Sequence, residues 1–275
     1  MNPKLAQFNM NLFFRLGLIS FIMVFMNSCR TAHERKNMSA TEKFYPGKRG
    51  VLCLTFDDRN FQYWVAALPL FRKYGARASF FIKGAIDDEA LKTIAALKAD
   101  GHTVGLHTIS HADAPEYMEK HGAQAYLDNE VFPQYNACKA AGYEVKSFAY
   151  PNNRRNEETD RALSKYFTHF RAGLGVKRPE GVALQDFEPV YKPVADLPGR
   201  TVMGGAGIGS FYSTVLEDNL AVLRKASEKE QVVVFFSHDI SDTPSRIGTS
   251  NEILEAMLKT ASELGLAIVG LDDLP

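Results

Sequence analysis

Short apolar or β-branched runs alternate with stretches of helical periodicity along most of this 275-residue chain, and that alternation narrows its possible folds more than any other feature. The runs are Val51–Phe56, Ala78–Ile82, Thr103–Leu106, Val145–Ala149, Val232–Phe236 and Leu266–Val269. Between them, residues 63–74, 89–98, 117–141, 157–165, 214–225 and 251–264 carry apolar side chains at the spacing of one helical face. Strand followed by helix, repeated, predicts a parallel sheet with helices packed outside it. Gly75, Gly101, Gly142 and Gly265 stand just past helical stretches, where a left-handed residue commonly ends a helix. No linker-like composition interrupts the chain after residue 48, and its length suits one α/β barrel.

Residues 173–213 break the pattern. Gly173, Gly175, Gly181, Pro179, Pro193, Pro198 and Gly199 predict loops and short strands, and the run from Gly204 to Gly209 reads as a flexible rim loop. It does not read as a phosphate loop, because no Lys-Ser/Thr pair follows it.

Polar clusters sit at the ends of three of the predicted strands. Thr55-Phe56-Asp57-Asp58 closes the first, His107-Thr108-Ile109-Ser110-His111 follows the third, and Ser237-His238-Asp239 follows Val232–Phe236. Alone, an Asp-Asp pair after a strand makes an ordinary turn or helix cap. In an α/β barrel, however, the ends of different strands converge on one face, so these clusters point to a single site. Paired aspartates let one carboxylate bind a divalent metal while its neighbour acts as a base, and histidines at i and i+4 face one ion if they share a helical turn. The chemistry predicted is metal-assisted hydrolysis. His102, His121 and His169 read instead as surface or satisfied structural residues.

The order Thr-Phe-Asp-Asp, His-Thr-x-x-His, Phe148-Ala149-Tyr150-Pro151 and Phe236-Ser237-His238 resembles the NodB-type polysaccharide deacetylases over residues 48–275. The resemblance implies a single-domain α/β fold, a distorted (β/α) barrel, and removal of N-acetyl groups from an amino-sugar polysaccharide. It also implies roles: Asp57 as base, Asp58, His107 and His111 as metal ligands, His238 as general acid, and the backbone N–H of Asn152 as oxyanion donor. Zinc suits two histidines and a carboxylate, and cobalt or nickel fit the same set. A carbohydrate is the implied substrate.

The chain departs from the family pattern in places. Ala112 stands where a proline usually follows the second histidine. The motif arginine that steadies the base is absent from Ala149-Tyr150-Pro151-Asn152-Asn153, which leaves Arg154, Arg155 and Arg171 as replacements. An Asp-Trp motif is missing, the only tryptophan being Trp64 on a predicted helix, and no acid that orients His238 is evident. Tyr150 and Phe211 are candidates for stacking on a sugar, although strand-end aromatics more often belong to a core. Two other readings therefore stay open: a metal-dependent esterase or cyclic-amide hydrolase, and a lipid-anchored glycan-binding protein without turnover.

Before the barrel, Lys4 and Arg15 precede the apolar stretch Leu16–Met26, which is too short for a permanent membrane span and reads as a secretory signal. Met26-Asn27-Ser28-Cys29 resembles a lipoprotein cleavage box. The expectation is a periplasmic or outer-membrane lipoprotein of a Gram-negative bacterium, anchored to the membrane through Cys29, with residues 29–47 as a polar tether. The whole chain balances 32 basic against 32 acidic residues, which leaves no electrostatic footprint for nucleic acid. Cys53, inside a predicted strand, is expected to be a buried free thiol.

Overall fold

The computed structural model describes residues 38–275; the signal-like segment, Cys29 and the start of the polar tether lie outside them. Strands β1 (Val51–Asp58), β2 (Ser79–Ile82), β3 (Thr103–Leu106), β4 (Ser147–Ala149) and β5 (His169–Gly173) run parallel, each beside the next. Two more strands, Val202–Gly207 and Gln231–Ser237, continue the series, and the last pairs with β1 from Val51 to Phe56. The ring is therefore closed: seven parallel strands form a barrel wrapped by helices, as the alternating pattern predicts. Short strands are added at its lower end. Tyr191–Pro193 is β6, antiparallel to the start of Gln231–Ser237, so Val202–Gly207 and Gln231–Ser237 are β7 and β8; Ala267–Val269 is β9, beside the start of β1.

Side chains alternate across each strand, so one parity points into the barrel and the other outwards. Leu52, Leu54, Phe56, Phe80, Ile82, Val104, Leu106, Phe148 and Phe235 join the helices in the outer core. Val51, Cys53, Phe81, Ala149, Met203, Val232 and Val234 fill the interior, with Leu271 and Leu274 closing its lower end. Continuing the inward parity to the upper rim leads to Asp57 on β1, Lys83 after β2, His107 after β3, Arg171 on β5 and His238 after β8. The pleat that builds the apolar plug also aims the polar groups above it.

Some expectations needed correction. The Gly204–Gly209 run is not a flexible loop: Val202–Gly207 is a barrel strand in register with β5. The periodic stretch 117–141 is not one helix but Ala114–His121, Ala123–Tyr126, a π-turn at Leu127–Val131 and Phe132–Ala140. The chain also joins the domain before residue 48, since Ala40–Phe44 is a helix whose Ala40 and Phe44, with Tyr45, pack against the lower plug. Cys53 and Cys138 are buried free thiols.

Candidate active site

Asp57, Asp58, His107, His111, Asn152 and His238 all line one cavity of about 330 Å³ at the upper rim. The remaining lining includes Lys83, Arg171, Phe211, Tyr212, Phe236 and Ile247. All six residues anticipated from sequence thus come together.

Asp58, His107 and His111 each offer a ligand atom, and these atoms lie within 4.8 Å of one another. The histidines do not share a helical turn. They lie on a loop bent by left-handed residues, Thr108 at φ 67° and His111 at φ 65°. Glu130 holds this loop: its carboxylate accepts from the Ser110 N–H at 2.8 Å and the Ser110 hydroxyl at 2.7 Å, and its carbonyl from the Ile109 N–H at 3.1 Å. Glu130 is buried in the π-turn, the kind of helical irregularity that re-aims a residue at functional sites. The sequence signal for Glu130 was an acid inside an otherwise amphipathic stretch.

His107 Nδ1–H donates to the Ala149 carbonyl at 2.8 Å, which leaves the Nε2 lone pair free for a metal. Burial pushes His107 down to about 4, so the ring is a neutral ligand at neutral pH. Burial, countered by Asp58, also lowers His111. For Asp58, burial by itself raises the carboxyl, but His107, Lys83 and His238 together hold it below the usual range. With His107 neutral, the lasting cation beside Asp58 is Lys83, whose Nζ is 3.0 Å away.

Asp57 is buried, and one carboxylate oxygen accepts from Arg171, whose other amino group donates to Asn153. The side chains of this pair are 3% and 1% exposed. The guanidinium also stands 4.9 Å from the Phe236 ring centre. Arg171 therefore replaces the missing motif arginine, while Arg154 pairs with Asp113 and Arg155 with Asp160. The other oxygen of Asp57, Oδ1, is buried and has no hydrogen-bond partner. A desolvated carboxylate oxygen left open in a polar cavity is a proton acceptor awaiting a donor.

His238 is oriented by backbone and not by an acid. Its Nδ1–H donates to the Ile247 carbonyl at 3.1 Å, leaving Nε2 for other partners. Asp239 fixes the loop that carries Ile247 by accepting from the Ser245 N–H at 2.9 Å and from the Ser245 hydroxyl. Trp64, fully buried, donates its indole N–H to the His238 carbonyl at 2.9 Å. The sole tryptophan thus pins the backbone of His238 from the helix Phe61–Lys73, a role its sequence position did not reveal.

Left-handed backbone concentrates here. Asp58, Thr108, His111, Asn152 and Asn153 all have positive φ; among the described non-glycine residues only Ser213 and Glu230 share it. Such conformations cost free energy and persist where the surroundings over-determine them. Phe211 is exposed at the rim, with the Arg246 guanidinium 4.7 Å from its ring centre, whereas Tyr150 is buried and donates to Asp160 at 2.7 Å. Only Phe211 remains available for stacking on a ligand.

Comparison with known proteins gives the chain's relatives in fold and sequence. The fold is shared with the chitin deacetylase of the fungus Colletotrichum lindemuthianum, with a TM-score of 0.55 at 17% identity, over 82% of this chain and 87% of that one. It is shared too with the Xyl-CE4 domain of a xylanase from the Trinervitermes trinervoides hindgut metagenome, with a TM-score of 0.53 at 18% identity, over 82% and 89%. Residues 45–169 match the polysaccharide deacetylase family. A Bacillus cereus peptidoglycan-N-acetylglucosamine deacetylase is 35% identical over 81 residues, 30% of each chain. The Colletotrichum lindemuthianum chitin deacetylase is 38% identical over 69 residues, 23% of this chain and 28% of the relative. The matched stretches thus span less than a third of the length of these curated relatives.

Proposed function

We propose that the protein is a metal-dependent hydrolase that removes N-acetyl groups from an amino-sugar polysaccharide. One observation carries the reading: Asp58, His107 and His111 converge on a common point beside the unpartnered Oδ1 of Asp57, with His238 in the same cavity. The donor set fits a divalent metal, since a carboxylate and two imidazoles, one with its tautomer fixed by a carbonyl, are ligands that zinc accepts, as do cobalt and nickel. Bound there, such an ion supplies Lewis acidity, polarising the acetyl carbonyl and making water acidic enough to be deprotonated near neutral pH.

The protein's own groups divide the remaining work. Arg171 orients Asp57 with Oδ1 open, so Asp57 accepts the proton of the attacking water. The left-handed turn at Asn152 presents its backbone N–H to the developing oxyanion, a donor that does not depend on the side chain. β8 flanks β1 on the side away from β2 and β3, so His238 approaches from the flank opposite the metal histidines and protonates the departing amine through Nε2. Tyr212, Phe236 and Ile247 supply the apolar wall that the missing tryptophan motif would otherwise provide.

Acetate release from a panel of N-acetylated and O-acetylated glycans, with and without chelator, tests the proposal. Chelator-sensitive release from N-acetylated glycans supports it. Release confined to O-acetyl esters replaces it with the esterase reading, and bound metal without any release replaces it with glycan binding alone.

A further inference from the structure

Between β5 and β7 the chain contains short 3₁₀ turns and the short strand β6, and no α-helix. A groove of about 840 Å³, well within the size range of ligand sites, runs over the outer side of these strands beside Ala172, Val202 and Gly204. Asn153, which lines both the groove and the catalytic cavity, joins the two at the rim. From there the groove follows Gly173 and Gly175 at the upper end of β5, passes Gly204 and Val202 on β7, and reaches Arg200 and Lys192 at the strand starts.

Its charge is one-sided. Arg154, Arg155, Lys192 and Arg200 line it, and no carboxylate does. Arg154 and Arg155 are compensated by Asp113 and Asp160. Lys192 and Arg200 have no carboxylate within ion-pair distance among the described residues; Lys192 Nζ donates only to the Pro189 carbonyl at 3.2 Å. Burial and the nearby positive charge of Arg200 both act against the Lys192 ammonium, with Asp196 opposing them. Two like charges held in one concave, partly desolvated groove raise the local concentration of anions.

We infer that this groove is a second glycan-binding site that takes the carboxylate-bearing portion of an anionic N-acetylated polysaccharide while an N-acetyl group of the same chain occupies the catalytic cavity. The inference rests on the deacetylase reading only in taking the ligand to be a glycan. Lys192 and Arg200 are its recognition residues, and neither belongs to the catalytic cavity.

Calorimetric titration of the full chain with a hyaluronan octasaccharide, which alternates N-acetylglucosamine with a uronate, and with neutral chitohexaose tests it. The wild type is expected to bind the anionic probe about tenfold more tightly at low salt and to lose that margin at high salt. The double variant Lys192→Gln/Arg200→Gln should lose about tenfold on hyaluronan with chitohexaose unchanged, and Lys192→Arg should retain binding. Equal affinity of the wild type for both probes, or unaltered hyaluronan binding by a double variant with a wild-type circular dichroism spectrum, overturns the inference. Acetate release measured alongside separates the two proposals. Charge-dependent binding without release removes the deacetylase reading alone, and release with charge-independent binding removes the groove alone.

Discussion

Arg171→Met is the substitution with the clearest consequence, because methionine keeps much of the stem's volume and removes the cation bonded to buried Asp57. Breaking a buried ion pair by deleting one partner leaves an uncompensated charge and costs about 3–5 kcal/mol. With a urea dependence of about 3 kcal/mol per molar for a domain of this size, the unfolding midpoint should fall by more than about 1 M. Asp57→Asn/Arg171→Met removes the charge as well as its partner, so the double variant should regain much of that stability, a coupling that a double-mutant cycle measures directly. Urea titration followed by circular dichroism on the four proteins is the assay, with acetate release recorded in parallel. Hydrolysis should be lost in both variants that lack Arg171: in Arg171→Met because Asp57 loses the partner that orients it, and in the double variant because the base itself is gone. If Arg171→Met unfolds at the wild-type midpoint and the cycle is additive, the pair is not desolvated and the argument that Arg171 replaces the motif arginine fails.

Further outcomes follow from the same geometry. Asp57→Asn should abolish acetate release while retaining metal, whereas Asp58→Asn should lose metal itself; equal metal content in the two by plasma emission spectrometry would show the roles to be wrongly divided. Trp64→Phe leaves the His238 carbonyl without its buried donor and should cost about 1–3 kcal/mol, read by thermal unfolding, with kcat falling more than KM rises. His102, whose Nδ1 accepts from the Ala78 N–H at 3.0 Å, is pushed down from 6.5 to about 4, chiefly by burial. The unfolded chain therefore binds the extra proton first: stability is complete above about pH 6.5 and falls by up to about 3 kcal/mol as pH drops towards 4. His102→Gln should flatten that slope in urea titrations between pH 7 and 4, and an unchanged slope would assign it to other groups. If Cys29 carries the lipid, Cys29→Ser expressed in a Gram-negative host should leave the membrane fraction and lose palmitate labelling.

The parts of the site legible in the sequence were those where a polar cluster interrupts an apolar strand. Asp57, His107 and His238 stand out because they end runs such as Val51–Phe56 and Val232–Phe236, whose composition is that of a buried strand. Strands β5 and β7 were illegible for the converse reason. β5 reads His-Phe-Arg-Ala-Gly, with Arg171 inside the barrel because Asp57 is there to receive it, and no local pattern announces a pairing 114 residues apart. β7 contains Gly205 and Gly207 because its inner face has little room: a Cβ on Gly207 would collide with the Tyr212 ring and one on Gly205 would press on the Phe236 ring, while Gly204 on the outer face lies against the backbone of Gly173 and Leu174. A glycine run chosen for close approach has the composition of a loop. Glu130 and Trp64 were missed since each acts on a distant backbone, and an acid or an indole on a helix carries no mark of its tertiary partner.

The plug beneath the site has a consequence for traffic. Cys53, Phe81, Ala149, Met203 and Val234 close the barrel below the polar rim, and Leu271 and Leu274 seal it further down. The pocket is therefore closed below, so under the proposed deacetylation substrate, incoming water and outgoing acetate would share the rim. A long glycan lying across that rim would then be a lid on its own by-product, with acetate escaping only when the sugar lifts or slides. Turnover on polymers then depends on how quickly the chain shifts along the rim, whereas on short oligosaccharides, which leave the mouth open on dissociation, it reports the chemistry itself.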